Sequence, residues 1–378
     1  MRPPAAALRP FGPNGPEVSL FTLGTMRAVN GEAQMGAVLA AALACGINHL
    51  ETAPAYGPAE AFLGEALRRL EVPRSQVVIT SKLLPGVGAE EGRRQLGACL
   101  GRLGTGRLDN LAVHGLNRPE HLEWALRGEG AELLRWAVGE GKASQIGFSS
   151  HGSHALIEAA LASGRFDFCS LHLHLFDPAR LPLARQALAE GLGVMAISPA
   201  DKGGRLYDPP DALVEDCLPF HPLELAYRFL LAEGISSLSL GAEGPADLVW
   251  AQRLADRPDP LSGPEQAALQ RLAQRGAERL GADRCGQCRA CLPCPQEVPI
   301  PELLRLRNLA IGHGMEPFAR ERYNLIGRAG HWWESLNASA CGRCGECLPR
   351  CPHGLAIPDL LADTHRRLVE APRRRLWG

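Results

Sequence analysis

The sequence predicts an α/β fold in which a closed parallel (β/α)₈ barrel precedes a smaller, mainly α-helical domain that binds metal. Three observations lead to this prediction. Short apolar runs alternate with longer helical patterns over residues 18–255, a Pro-rich break interrupts the chain at 256–264, and cysteines crowd into 285–294 and 341–351. We therefore expect the barrel to end before the break and the metal-binding domain to follow it.

Eight apolar runs in the first region are the predicted strands, at residues 18–23, 47–51, 76–80, 108–113, 144–148, 167–171, 192–197 and 236–240. A helical pattern follows each run, at residues 32–45, 59–70, 90–103, 120–138, 153–163, 179–190, 221–232 and 245–254. Eight such units in about 240 residues have the size and rhythm of a TIM barrel. An open doubly wound sheet is disfavoured because no Gly-x-Gly-x-x-Gly follows the first run.

The same patterns divide the chain into four parts. These are an N-terminal extension over 1–17, the barrel over 18–255, a linker and helix over 256–280, and the metal-binding domain over 281–378. The last part has helical patterns at 301–311 and 357–369 and no clear strand pattern.

The bulk composition is that of an ordinary globular protein, with 46% hydrophobic and 21% charged residues. The net charge of −1 gives no reason to expect nucleic acid or an anionic membrane as a partner. The Pro- and Gly-rich start lacks the apolar core of a signal peptide, and no run approaches the ~20 apolar residues of a spanning helix. We expect a cytoplasmic protein.

Eight of the twelve cysteines form two dense groups, which in a reducing compartment indicate metal binding rather than disulfides. The second group has the Cys-x-x-Cys-x-x-Cys-x-x-x-Cys-Pro spacing of bacterial 4Fe–4S sites, and the first is one residue shorter before its last cysteine. Zinc prefers two separated cysteine pairs, so this crowding favours two 4Fe–4S clusters. The candidate ligands are Cys285, Cys288, Cys291, Cys294, Cys341, Cys344, Cys347 and Cys351.

This region resembles helical two-cluster ferredoxin domains. The resemblance implies one cluster on Cys285, Cys288, Cys291 and Cys351, and the other on Cys341, Cys344, Cys347 and Cys294. The shortened first motif leaves a second arrangement open, in which each group of four closes on itself.

The predicted strand ends carry a set of polar residues that suits proton transfer. Glu51 and Tyr56 follow the second strand, Lys82 the third and His114 the fourth, and reactive groups of such barrels lie at the C-terminal strand ends. Reducing a carbonyl requires a proton donor at the developing alkoxide, and tyrosine is too weak an acid until a cation stabilises its phenolate. Lys82 supplies that cation, Glu51 holds it, and His114 orients the substrate oxygen.

The barrel sequence resembles the aldo/keto reductase superfamily. The matching segments are 46–57 (Gly-Ile-Asn-His-Leu-Glu-Thr-Ala-x-x-Tyr-Gly), 60–67 (Glu-x-x-Leu-Gly-Glu-Ala-Leu), 141–149 (Gly-Lys-x-x-x-Ile-Gly-Phe-Ser) and 230–242 (Leu-Leu to Gly-Ala). The resemblance implies a catalytic tetrad of Tyr56, Lys82, His114 and a carboxylate. That carboxylate is usually Asp, and here it is Glu51. Together with the cysteine motifs, the chain resembles a branch that has a C-terminal ferredoxin-type module.

The resemblance also implies NAD(P)H contacts at Ser149 and Ser170. The family's usual Ser-Asn pair is replaced by two serines at 149–150, and its ring-stacking aromatic residue by Ile197. The expected phosphate contacts are Ser198, Lys202, Gly241 and Gly244, where a helix start with bare amides forms an anion site. An ordinary turn is the alternative. Glu243 and Asp247 lie where a 2′-phosphate requires Arg, which disfavours NADPH.

Four histidines near the expected mouth of the barrel, His151, His154, His172 and His174, suggest a second metal site. Histidines that line a polar mouth are the more common interpretation.

The predicted function is that of an oxidoreductase that acts on a carbonyl/alcohol pair, with the clusters transferring electrons. Hydride carries two electrons together, whereas each cluster carries one, so a flavin or a ferredoxin-like partner is needed to couple them, or the clusters lie outside the catalytic path. No flavin motif is visible. The alternative hypothesis is a non-catalytic barrel scaffold whose cluster module acts as an electron carrier or redox sensor for a protein partner.

Overall fold

The computed structural model describes residues 6–200, 205–326 and 336–370. The chain forms two compact units. Unit 1 comprises Met1–Gly204 and Ala226–Leu261, and unit 2 comprises Arg205–Leu225 and Ser262–Gly378. Within the described ranges, no helix is long and apolar enough to cross a membrane.

The described part of unit 1 contains ten strands, of which eight form a closed barrel. A hairpin of β1 (Leu8–Pro10) and β2 (Glu17–Ser19) precedes it. The barrel strands are β3 (Phe21–Gly24), β4 (His49–Glu51), β5 (Val78–Leu83), β6 (Leu108–Val113), β7 (Ala143–Ser150), β8 (Phe168–His172), β9 (Gly193–Ile197) and β10 (Ser237–Gly241). All pair in parallel with the next strand, and β10 closes the ring on β3. Each overlaps one predicted strand, so the barrel prediction is confirmed.

The hairpin begins in the predicted N-terminal extension and runs on to Ser19, within the first predicted strand, and it packs against the N-terminal ends of the barrel strands. Phe11, in the hairpin loop, is fully buried in a cluster with Phe168 and Met195. Its ring also contacts Gly193, at the start of β9. The hairpin thereby covers the end of the barrel opposite the candidate catalytic residues.

The helices that follow the barrel strands are α1 (Glu32–Ala44), α2 (Ala59–Arg69), α3 (Ala89–Leu103), α4 (Pro119–Leu126), α5 (Glu129–Gly139), α6 (His154–Ala162), α7 (Leu181–Ala189), α8 (Asp211–Cys217), α9 (Pro222–Ala232) and α10 (Val249–Leu254). The single helix expected over 120–138 is two helices, with an extended Gly128 between them. A side chain at Gly130 would meet the Trp124 ring at 2.3 Å, so the glycine permits this close packing.

Unit 2 is helical, as expected. Its further helices are α11 (Gly263–Leu280), α12 (Ile300–His313), α13 (Glu316–Leu325) and α14 (Ile357–Leu368). A capping box begins α11: Glu265 accepts a hydrogen bond of 2.7 Å from the Ser262 amide, and the Ser262 hydroxyl accepts one of 3.4 Å in return. The sequence analysis did not predict α13.

Two segments of unit 2 differ from the sequence-based boundaries: 205–225, within the expected barrel, and 262–280, within the expected linker. Their association depends on Asp216 of α8, which is fully buried and accepts hydrogen bonds of 3.1 Å from Arg275 and 3.0 Å from Arg279 of α11. Burial alone raises the pKa of Asp216, but the hydrogen bonds from both arginines outweigh it and lower that pKa. A buried carboxylate with two cationic partners ties α8 to α11.

Candidate active site and cysteine-lined cavities

Four candidate catalytic residues lie at the C-terminal ends of adjacent barrel strands. Glu51 is the last residue of β4, and Tyr56 ends the short turn that follows it. Lys82 is near the end of β5, and His114 directly follows β6. The parallel order of β4, β5 and β6 therefore brings them to one mouth of the barrel.

The Lys82 ammonium joins the tyrosine to the carboxylate. Its Nζ donates a 2.5 Å hydrogen bond to the Tyr56 hydroxyl and forms an ion pair with Glu51 Oε1. The Tyr56 hydroxyl lies 3.2 Å from the same Glu51 oxygen. The additional methylene of glutamate, relative to the usual aspartate, therefore still allows the carboxylate to reach the lysine.

His114 lies against the phenol ring. The centroids of the His114 and Tyr56 rings are 5.9 Å apart and their planes are perpendicular. The His114 side chain is buried, and its backbone amide donates a 2.7 Å hydrogen bond to Leu83. Three strand ends thus hold a histidine, a tyrosine and a lysine in contact.

Burial sets the protonation of this site. It lowers the pKa of Lys82 to about 7 and raises the pKa of Tyr56. The tyrosine is therefore a protonated phenol at neutral pH, beside an ammonium that titrates within the physiological range. A neighbouring cation stabilises the phenolate, so the acidity of Tyr56 depends on the charge of Lys82.

The serine candidates for nicotinamide contacts lie on β7 and β8, where Ser149 and Ser170 are register partners. The Ser149 hydroxyl accepts a 3.0 Å hydrogen bond from the amide of Gly115, beside His114. The Ser170 hydroxyl is buried and has no hydrogen-bond partner among the residues that the structure describes. The Ser170 hydroxyl can therefore hydrogen-bond an amide. Ser198 follows β9, and its backbone lies in the left-handed region, at φ 59°.

The loop after β10 differs from the expected anion site. The amides of Glu243 and Gly244 donate hydrogen bonds of 2.7 and 3.2 Å to Asp247 Oδ2. The expectation of bare amides at Gly244 is therefore wrong, because an acidic residue in the first turn of the following helical segment caps them. The Arg27 side chain packs against Gly241 and pairs with Glu243 at 3.1 Å. Lys202 lies outside the described residues.

The histidines after β7 and β8 are neighbours. The rings of His151 and His172 have centroids 4.1 Å apart. His174, two residues after His172, is also buried. In the described part of the chain, no group of three or more His, Cys, Asp or Glu is arranged to bind a single metal ion.

The eight clustered cysteines line two cavities of unit 2. Cavity A is lined by Cys285, Cys288, Cys291 and Cys351. Cavity B is lined by Cys341, Cys344, Cys347 and Cys294. The last cysteine of each motif thus faces the cavity formed by the other motif, which is the crossed arrangement of the two that the sequence left open.

The two motifs have matching backbone conformations in their first loop. Gln287 and Arg343 occupy equivalent positions there, and both have positive φ angles, 58° and 52°. The motifs differ after the third cysteine, where the Leu292–Pro293 peptide bond is cis and the equivalent Leu348–Pro349 bond is not. The additional residue of the second motif is Arg350, whose guanidinium donates hydrogen bonds of 2.9 Å to Pro293 O and 2.8 Å to Glu346 O.

Each motif also packs against the end of the other. A side chain at Gly286 would meet His353 at 2.5 Å, and one at Gly342 would meet Gln296 at 3.4 Å. His353 and Gln296 each follow a Cys-Pro pair. The sequence contained a signal for this mutual packing of two similar motifs. Both read Cys-Gly-x-Cys-x-x-Cys-Leu-Pro and are followed by Ile-Pro at a helix start.

The donor set of each cavity fits a 4Fe–4S cluster. Each cavity presents four cysteines, and the remaining lining is largely apolar, including Leu304 and Ile357 in cavity A and Ile300 and Leu361 in cavity B. A cubane has one thiolate on each of four irons, so its ligands surround a volume rather than converge on one ion. The four cysteines of each cavity have this distribution.

Comparison with known proteins relates both parts to established families. Residues 21–209 match the aldo/keto reductase family, and residues 284–357 match the 4Fe–4S dicluster domain. A 6-dehydroglucose reductase of Novosphingobium aromaticivorans is 31% identical over 301 residues, covering 72% of this chain and 90% of the relative. The NADH-specific methylglyoxal reductase of Escherichia coli is 29% identical over 184 residues, covering 42% of this chain and 54% of the relative.

The solved structure of aldo-keto reductase AKR11C1 from Bacillus halodurans, in its holo form, has the same barrel fold. Its TM-score is 0.60 at 20% identity, over 70% of this chain and 95% of that one. Sequence coverage, the matched domains and the barrel lead to one conclusion: this chain belongs to the aldo/keto reductase family and carries a 4Fe–4S dicluster domain after its barrel.

Proposed function

We propose that this oxidoreductase converts a small carbonyl compound to its alcohol, with Tyr56 as the proton donor. The observation that carries the proposal is the Lys82 ammonium, which hydrogen-bonds the Tyr56 hydroxyl at 2.5 Å while paired with Glu51. The arrangement suits a phenol that must release a proton at neutral pH although burial raises its pKa.

Each member of the tetrad has a distinct part in the proton transfer. As negative charge develops on the substrate oxygen, the proton of Tyr56 moves to it and Lys82 stabilises the resulting phenolate. Glu51 balances the lysine charge, which lets an ammonium persist in a buried position. His114, edge-on to the phenol, is the candidate donor that orients the carbonyl oxygen.

A nicotinamide coenzyme would supply hydride when bound. The buried hydroxyl of Ser170, beside Ser149 in register, fits its carboxamide. Ser198, Lys202 and Gly241 remain the candidates for its phosphates, since Asp247 caps the amide of Gly244. We infer a preference for NADH, because Glu243 and Asp247 place two carboxylates in this loop and Arg27 is already paired with Glu243 rather than available to a 2′-phosphate.

The substrate that best suits the mouth is small and polar. Two neighbouring histidines of the protein, His151 and His172, offer hydrogen-bond donors and acceptors to the hydroxyl and carbonyl groups of a substrate. The names of two relatives refer to 6-dehydroglucose and to methylglyoxal. We therefore propose carbonyl compounds of this polarity as the substrate class.

The clusters serve single-electron transfer in this proposal, with the crossed ligand sets of cavities A and B. Cys288 and Cys344 are the exposed ligands of the two sets, whereas Cys291 and Cys347 are each 8% exposed. An exposed ligand on each cluster suits electron exchange with a ferredoxin-like partner. Coupling the clusters to two-electron hydride chemistry would require a flavin or such a one-electron partner.

The role of the phenol is tested with Tyr56→Phe. We expect kcat for methylglyoxal reduction with NADH to fall by roughly 10² or more, because general-acid catalysis contributes on that order. Tyr227→Phe is the matched control, since it removes a phenolic hydroxyl elsewhere in the barrel. Equal activity of the two variants would support the non-catalytic scaffold instead.

The pH dependence of kcat tests the lysine. Lys82 has a lowered pKa of about 7, so it is charged below that pH and neutral above it, while Tyr56 remains protonated throughout. We expect kcat for reduction to fall as pH rises from 6 to 9. Among the described residues, Lys82 contacts the titratable groups Glu51 and Tyr56, and His114 packs against the Tyr56 ring. Lys82→Arg keeps the charge, so its residual activity should be independent of pH over this range; a persisting alkaline fall would assign the titration to another group.

The crossed ligand sets are tested by removing one triplet. A variant with serine in place of Cys341, Cys344 and Cys347 should retain one cluster, bound in cavity A. Adding Cys351→Ser should then lower the iron content and the EPR signal of the dithionite-reduced protein, whereas adding Cys294→Ser should not. The reverse result would mean that each group of four closes on itself.

The electron path is tested by anaerobic titration with NADH and then dithionite. Each cluster accepts one electron and hydride carries two, so we expect NADH alone to leave the cluster absorbance unchanged and dithionite to bleach it. A variant lacking all eight clustered cysteines gives the background. Bleaching by NADH to the dithionite level would contradict the expectation and require a bound flavin.

A further inference from the structure

A continuous chain of hydrogen-bonded side chains runs around the inside of the barrel. It crosses six neighbouring strands in the order β10, β3, β4, β5, β6 and β7. Its members, here called the polar belt, are Ser237, Thr22, His49, Thr80, Asn110 and Gln145. All six are buried, and five of them have no exposed surface.

The contacts of the belt are short. The Ser237 and Thr22 hydroxyls are 2.7 Å apart, Thr22 Oγ1 is 2.8 Å from His49 Nδ1, and His49 Nε2 is 2.7 Å from Thr80 Oγ1. Asn110 Nδ2 donates to Thr80 Oγ1 at 3.0 Å, and Gln145 Nε2 donates to Asn110 Oδ1 at 2.9 Å. A buried polar network of this kind is favourable only if its members are satisfied.

The two ends of the belt determine the direction of every hydrogen bond in it. The single proton of Ser237 is donated to Ser19 O at 2.8 Å, so Thr22 must donate to Ser237. Thr22 then has no proton left for His49 and must accept one from Nδ1. The Nε2 atom of a neutral imidazole is thereby the acceptor for Thr80, whose oxygen accepts in turn from Asn110.

Each member of the belt therefore donates to the next in the direction from Gln145 to Ser237. This order requires a neutral His49 with its proton on Nδ1. The groups that contact its ring from β3, β5 and the hairpin are Thr22, Thr80 and Phe11, all uncharged. Burial among them lowers the pKa of His49 to about 3. Burial therefore favours the neutral form of His49, in which Nε2 accepts the proton of Thr80.

The belt lies one inward-facing layer below the tetrad. Alternate residues of a strand share a face, so His49 lies beneath Glu51 on β4, and Thr80 lies beneath Lys82 on β5. Glu51 and Thr80 are also register partners between these strands. The His49–Thr80 hydrogen bond therefore joins the same two strands whose next inward residues form the catalytic ion pair.

We propose that the polar belt positions the catalytic ion pair, with His49 and Thr80 as positioning residues that fix Glu51 against Lys82. A charged His49 would set a second cation beneath Glu51, in competition with Lys82, and it would remove the acceptor that Nε2 offers to Thr80. This inference rests on the proposed carbonyl reduction for its kinetic consequence, but the hydrogen-bond order can be measured without any turnover.

The kinetic test uses Thr80→Val in the full chain with its clusters, since valine preserves shape and removes the donor to His49. We expect kcat for methylglyoxal reduction to fall about tenfold, as loss of roughly one buried hydrogen bond implies. KM should remain unchanged, and the alkaline fall of kcat should move to a different pH because the environment of Lys82 changes. Thr80→Ser, which keeps the hydroxyl, should restore both.

Thr52→Val is the matched control. Thr52 is buried near the end of β4, and its hydroxyl has no hydrogen-bond partner within the described ranges. The same substitution there should leave kcat and its pH profile unchanged. If Thr80→Val and Thr52→Val have the same kinetics, the belt does not position the ion pair.

The hydrogen-bond order is tested by NMR of protein labelled with ¹⁵N-histidine. We expect one histidine in the Nδ1–H tautomer that does not titrate between pH 5.5 and 8, and that is absent from His49→Gln. A titrating His49, or one with its proton on Nε2, would overturn the proposal even if Thr80→Val does not fold. If the native protein reduces no carbonyl compound, the proposed function fails while this measurement still decides the order of the belt.

Discussion

The burial of one ammonium group is the constraint on which the barrel's chemistry depends. Lys82 lies almost entirely out of water, and it remains useful only because Glu51 and the Tyr56 hydroxyl both contact its Nζ. Desolvation lowers the pKa of Lys82 to about 7, whereas it raises the pKa of Tyr56 away from the physiological range. The candidate acid therefore depends on the charge of its lysine neighbour, which stabilises the phenolate.

A comparable constraint organises unit 2, where neither cysteine motif completes a cavity alone. Cys351 lines the cavity of the first motif, and Cys294 lines that of the second. Folding of either loop around iron therefore requires the other loop, and cluster binding contributes directly to the stability of the domain. Arg350, the additional residue of the second motif, bonds to Pro293 and so bridges the two loops that the cysteines interlock.

The candidate sites show where sequence reasoning succeeds and where it stops. Tyr56, Lys82, His114 and the eight cysteines were identifiable because their residue types and spacings suit one chemistry each. The capping of Gly244 by Asp247 was not, because the same residues read equally well as an anion site or as a turn until the side-chain rotamer is known. The polar belt was also missed, since its members come from six distant segments and each is unremarkable alone.

The sequence by itself predicted the barrel, the residues of the candidate tetrad and the eight candidate cluster ligands, because strand periodicity, residue types at strand ends and cysteine spacing are local properties. Only the tertiary structure shows that the last cysteine of each motif lines the cavity of the other, that 205–225 belongs to unit 2 and that His49 is buried among uncharged groups. Each of these depends on contacts between residues far apart in the chain. Such contacts are fixed by packing and by the pairing of buried polar groups, and a single sequence records neither.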